Sequence, residues 1–272
     1  MMIYSSKLFC KYIIMKNNIY GILILSILIL TTIANISFKD GMPTCNNFVI
    51  NTYLYLALSI CVLGLCVYYF HKTLFNGNKD YRQLSKTVMK YILFLFIFSI
   101  GLIIYISSSN TFNNTNVLTN HILWLLFIMT FSIILIPRVM SDATEKYVDE
   151  SIYIVSLIFI VMSSIVYLFP SFFSKTFNFM YTALFISLLV IIILEIMNIF
   201  LTSNKIDLIN NRKMISYIVI LIFSLYVSYD TKKVIELSKL CTKYPNYPKT
   251  SISFFLDVVN LFSRILFLSS NK

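Results

Sequence analysis

The chain has 272 residues, of which 58% are hydrophobic and only 12% charged, with a mean hydropathy of +0.83. Soluble domains carry about 25% charged residues, so the one or two soluble globular domains that this length would allow are excluded. The formal charge of +11 sits in short connections and ends, a signature of membrane topology and headgroup contact that excludes a nucleic-acid-binding groove.

Lys7, Lys11 and Lys16 precede the first apolar run, Ile19–Ile36. Thr32-Ile33-Ala34 loosely resembles a cleavage site, and the favoured reading is an uncleaved signal anchor over residues 19–37 behind a cytosolic tail of residues 1–18. Seven further runs follow: Phe48–Phe70, Tyr91–Ile106, Ile122–Ile136, Ile152–Phe169, Phe179–Leu201, Met214–Tyr229 and Ile252–Leu268. They are continuous and of helical length, not ten-residue alternating strands, so the expected fold is an all-α polytopic membrane bundle and not a barrel. A span needs about 20 residues, so the third, fourth and eighth runs are short enough to be re-entrant. Pro137 and Pro170 read as helix stops. His121 and Trp124, at the start of the fourth run, read as interfacial anchors.

Loop charge gives an expected orientation. The tail has Lys7, Lys11 and Lys16, the connection His71–Lys90 has five Lys or Arg, and Ser107–Asn120 has none. The first two are expected in the cytosol and the third outside. The sequon Asn113-Asn114-Thr115 permits that outer assignment. Thr231–Ser251 carries Lys232, Lys233, Lys239, Lys243 and Lys249, yet five spans separate it from His71–Lys90. The reading taken is that one intervening run does not cross, which puts both basic connections inside.

Cys10, Cys45, Cys61, Cys66 and Cys241 contain no C-x-x-C pair. They imply no disulfide framework and no zinc site, and two histidines cannot build a metal cage. No structural metal and no cofactor is expected, and neither a phosphate-binding loop nor a nucleophile triad is present, so no enzyme is expected.

The chemistry concentrates in the last two runs. Asp230 closes the seventh and Asp257 lies within the eighth, where an aspartate costs roughly 2.5–3.5 kcal/mol and usually marks an ion path. On a helix, Asp257, Asn260 and Arg264 form one polar stripe at i, i+3 and i+7. Glu195 and Asn198, at i and i+3 in the sixth run, form a second intramembrane polar pair. Alone, Asp230 reads equally as a solvated interfacial acid beside Lys232 and Lys233, and Glu195 and Arg264 as side chains that snorkel.

Tyr229-Asp230-Thr231 at the end of the penultimate run, then Leu256-Asp257 and Asn260-Leu261-Phe262 in the last, resemble the hallmark of the Bax-inhibitor-motif (Lifeguard-like) membrane family. The resemblance covers roughly residues 215–268. It implies a seven-helix core over residues 48–269, with the first run as an extra N-terminal helix. It also implies a pH-sensitive calcium or cation leak from an internal store, in which two aspartates share a proton and gate the path, and a link to suppression of cell death. Asp230 and Asp257 occupy those positions. Tyr229, Asn260, Arg264, Glu195 and Asn198 are candidate pore-lining or latch residues. The chain departs from the family in having Lys232 where Gln is usual and no glycine after Gly101.

Elementary electrostatics agrees with the resemblance. Two carboxylates in a poorly solvated site cannot both ionise cheaply, so they share a proton and titrate as one unit. Singly protonated, the pair is hydrogen-bonded and closed; doubly ionised, it repels and offers oxygen ligands to a passing calcium ion. Expected partners are the bilayer, calcium or other cations, and cell-death regulators or calcium-release channels; the expected address is the endoplasmic reticulum, Golgi or another internal membrane. A non-conducting scaffold binding such proteins is the alternative. An intramembrane aspartyl protease would need Gly-x-Gly-Asp, which is missing before Asp257, and no receptor signature is found.

Overall fold

The computed structural model describes the backbone of residues 2–74, 81–112, 116–142, 145–201 and 205–271, and side chains from Ile19 onward except 71–72, 74, 81–89, 137–142, 145–146, 174, 178, 199–201 and 205. The sequon Asn113-Asn114-Thr115 lies outside the described residues. Among those residues the order is α1 (Met2–Ser37), β1 (Phe38–Lys39), β2 (Met42–Pro43), α2 (Phe48–Leu74), α3 (Tyr81–Ser108), α4 (Val117–Asp142), α5 (Glu145–Leu168), α6 (Pro170–Leu201), α7 (Lys205–Leu240) and α8 (Tyr247–Ser270). All eight helices are long and apolar enough to cross a membrane. The protein is an all-α polytopic membrane bundle.

The apolar runs underestimate the helices because polar residues at their ends stay helical. The runs expected to be short belong to helices of 28, 26 and 24 residues, each sufficient for about 30 Å of hydrocarbon at 1.5 Å per residue. Their length removes the case for a re-entrant segment. Pro137 does not stop its helix, since α4 continues to Asp142; a proline forfeits one ladder bond there without ending the helix. Pro170 instead starts α6, where its missing N–H is no loss.

The chain divides into two compact units. The first comprises Met1–Ser141 with Ser238–Ile252. Here α1 and α2 form an antiparallel hairpin, closed by the ribbon Phe38↔Pro43, Lys39↔Met42. Asp40 and Gly41 turn it with φ of 54° and 76°, the two left-handed positions that an Asp-Gly hairpin turn fills readily.

Beyond that ribbon, three connections meet at the Phe48 end of α2. Cys45 and Cys241 form a disulfide. Asn246 N–H donates to the Thr111 carbonyl at 3.0 Å. Tyr247 O–H donates to the Thr44 carbonyl and accepts from Asn51 Nδ2 at 3.0 Å. Asn246 also caps α8, its side-chain oxygen accepting from Lys249 N–H at 3.1 Å. The disulfide corrects the expectation of none, and the meeting of connections corrects the expected orientation. Residues 241–246 lie at one end of α2 and His71–Lys90 begins at the other, about 40 Å along its 27 residues. The two basic connections are therefore at opposite ends, and Lys232, Lys233 and Lys239 are residues of α7, not of a loop.

A ring cluster fills the space below. Tyr55 stacks on Tyr247 at 5.5 Å and meets the edge of Trp124 at 6.0 Å. Trp124 is buried and its indole N–H donates to Ser59 Oγ at 3.2 Å. His121 Nδ1 donates to the Val117 carbonyl at 2.7 Å, leaving Nε2 to accept from Tyr55 O–H at 2.8 Å. Neither His121 nor Trp124 is an interfacial anchor; their polar atoms are satisfied inside the protein.

The second unit comprises Asp142–Leu237 with Ser253–Lys272, which includes α5, α6 and most of α7 and α8. Small hydroxyls bring α5 onto α7: Ser228 Oγ donates to the Met162 carbonyl at 3.2 Å, and Ser163 and Thr231 hydroxyls pair at 3.2 Å. Such residues let helix backbones approach where lipid supplies no hydrophobic drive. Phe159 packs on Phe254 and Phe177 stacks on Tyr229 at 4.7 Å. Enclosure differs sharply between helices. In α8 61% of the apolar stretch is buried, against 11% in α6, which is exposed over most of its surface.

Candidate functional site: a buried aspartate pair

α7 presents one continuous inward stripe of Val219, Phe223, Val227, Asp230 and Val234, all buried. This is the i, i+3 or i+4 spacing of a single helix face. Asp230 thus takes a position that apolar residues fill one turn to either side, and the residue is only 5% exposed. On α8 the equivalent stripe is Phe254, Asp257, Leu261 and Ile265, with Asp257 4% exposed. Neither aspartate is a solvated interfacial acid.

The two carboxylates lie within electrostatic reach of each other. Ser253 O–H donates to the Asp230 carboxylate, and the Lys233 ammonium interacts with it from the next turn of α7. The Tyr226 phenol, one turn before Asp230, is within reach of both aspartates. Asp257 Oδ2 is buried and has no hydrogen-bond partner among the described residues. A buried acceptor without a donor costs about 1–3 kcal/mol, more when charged. A proton held between two acids, or a cation bound by both, is the chemistry that removes such a cost.

The remaining sequence candidates divide into two groups. Tyr229 is buried next to Asp230, with its ring between Phe177 and Tyr181. Asn260 Nδ2 donates to the Leu256 carbonyl at 2.9 Å, a bond within its own helix. Arg264 and Glu195 form an ion pair between α8 and α6, Arg264 being 12% and Glu195 36% exposed at the side chain. Asn198 Nδ2 reaches the Leu208 carbonyl of α7 at 3.4 Å. The pairing of Glu195 with Arg264 replaces the picture of two side chains separately snorkelling. Lys232, which departs from the family's usual Gln, is buried and pairs with Glu236 at 2.7 Å, one turn along α7.

Sequence reasoning missed Tyr226 and Ser253, and read Lys233 as the mark of a wet interface beside Asp230. Helical spacing held the signal for both: Tyr226 is four residues before Asp230, and Ser253 four before Asp257.

Comparison with known proteins then fixes the kinship. The family model described as "Inhibitor of apoptosis-promoting Bax1" matches residues 45–272. An uncharacterized protein of Campylobacter jejuni is 34% identical over 92 residues, which are 34% of this chain and 36% of that protein. An uncharacterized membrane protein of Vibrio cholerae is 32% identical over 92 residues, 34% of this chain and 37% of the relative. The chain thus matches little more than a third of the length of either relative. With the family match covering α2 to α8 and both aspartates, the chain belongs to the Bax-inhibitor family of multi-pass membrane proteins.

Proposed function

We propose that this protein is a pH-sensitive cation leak, with calcium as the cation, in which Asp230 and Asp257 form the gate. The observation that carries the reading is a pair of buried aspartates on successive helices, one with an oxygen unpartnered among the described residues. At low pH the pair holds one proton between its oxygens and the path is closed. At high pH both acids ionise, repel one another across a site of low dielectric, and offer hard oxygen ligands to a calcium ion. The sign follows: leak rises as pH rises. The groups around the site are Lys233, Tyr226 and Tyr229 on α7 and Ser253 on α8, with Tyr181 of α6 beside the two tyrosines.

The membrane is proposed to be an internal store (endoplasmic reticulum or Golgi), and the physiological effect to be suppression of cell death, as the family description says of its members. No catalysis, cofactor or nucleic acid enters this reading. Purified protein in vesicles loaded with a calcium dye should leak faster at pH 8 than at pH 6, and the double variant Asp230→Asn with Asp257→Asn should lose that pH dependence. An unchanged pH profile in the double variant sinks the gate. The scaffold reading makes the opposite forecast for cells: protection from death survives in the double variant.

A further inference from the structure

α8 is the most enclosed helix of the second unit, and its polar face is narrow. Asp257, Asn260 and Arg264 fall within about 60° of helix circumference, and Arg264 lies about 10 Å beyond Asp257 toward the C-terminal end. A guanidinium at 12% exposure on this helix is a fixed positive charge inside the protein. A second one follows: Arg212 of α7 lies over the Phe267 ring at 4.6 Å, close to one turn further on. The counter-charge comes from the least enclosed helix. Glu195 is the sole acidic residue of α6, flanked by Ile193, Leu194, Ile196 and Met197, which are all exposed on the surface. A lone carboxylate there is costly unless it is paired, and it pairs with Arg264.

We propose that the Glu195–Arg264 ion pair sets the electrostatic barrier for cations moving along the α8 face past Asp257, with Glu195 cancelling the charge of Arg264. This rests on the leak reading above and extends it to a second pair of residues. An unopposed guanidinium about 10 Å from the aspartates repels a divalent ion. An unopposed Glu195 attracts one. The two single variants are therefore expected to move conduction in opposite directions, which mere support of the α6–α8 packing would not do.

The test uses full-length protein in dye-loaded vesicles at pH 8, with rates normalised to the monodisperse fraction recovered. Glu195→Gln should slow the initial calcium flux on the order of tenfold, and Arg264→Gln should raise it by a similar factor. The double variant, neutral again at this position, should return near the wild-type rate, as should Arg264→Lys, which keeps charge and guards against a folding defect. Single variants that shift flux in the same direction, or leave it unchanged, overturn the inference. If they do so while Asp230→Asn with Asp257→Asn still abolishes the pH response, the leak reading survives and only this inference fails; a wild-type protein with no flux at either pH removes both.

Discussion

At the scale of single residues, two kinds of buried polar group coexist in this protein. Three side-chain pairs, Tyr55 with His121, Trp124 with Ser59 and the Asn51 amide N–H with Tyr247, are joined by hydrogen bonds, which is how polar atoms become tolerable in a membrane protein. Tyr55→Phe should cost about 1 kcal/mol by stranding His121 Nε2. That would show as a lowered thermal midpoint in detergent, with Tyr69→Phe, at a 53% exposed position, leaving the midpoint unmoved. The Asp257 carboxylate is the other kind, buried with one oxygen unmatched among the described residues. In the sequence the aspartates stood out because charge is rare in apolar runs. Their degree of burial was not legible for Asp230, since the adjacent lysines equally suit a wet interface; only the helix phase, which aims Asp230 inward between Val227 and Val234, decides it. The partner of Arg264 was equally hidden, because i, i+4 spacing describes one helix and the ion pair joins two.

At the scale of elements, periodicity and run length located all eight helices, and where they failed was at the ends. Polar residues prolong α3, α4 and α8 beyond their apolar runs, and Pro137 is carried inside α4. Cys45 and Cys241 stand 196 residues apart, and no local spacing reveals such a pair. The bond ties the connection between α7 and α8, the two helices that carry the aspartates, to the connection between α1 and α2. Replacing both cysteines by serine should destabilise the protein by about 2–4 kcal/mol, read as a drop in thermal midpoint. A midpoint equal to that of the parent would mean that the bond does not form.

At the scale of the whole molecule, the disulfide and the charge pattern give one orientation between them. Disulfides persist in oxidising compartments, so the end of α2 that begins at Phe48 should face a lumen or the exterior. His71–Lys90, with its five basic residues, then faces the cytosol, as the positive-inside rule requires. In sealed vesicles of known sidedness, an impermeant maleimide should modify Cys45 and Cys241 only from the non-cytosolic face, and only once the bond has been opened. Labelling from the other face, or without prior reduction, would invert or dissolve this orientation. Read as loop, the lysines after Asp230 favour a seven-crossing alternative; three of them ride on α7.

The cross-link also has a practical edge. Dithiothreitol or phosphine added at the bench as a routine preservative would turn the Cys45–Cys241 cystine into two thiols, unpinning the turn that leads into α8. Two laboratories working from identical plasmids, one with such an additive and one without, would be recording from chemically distinct molecules.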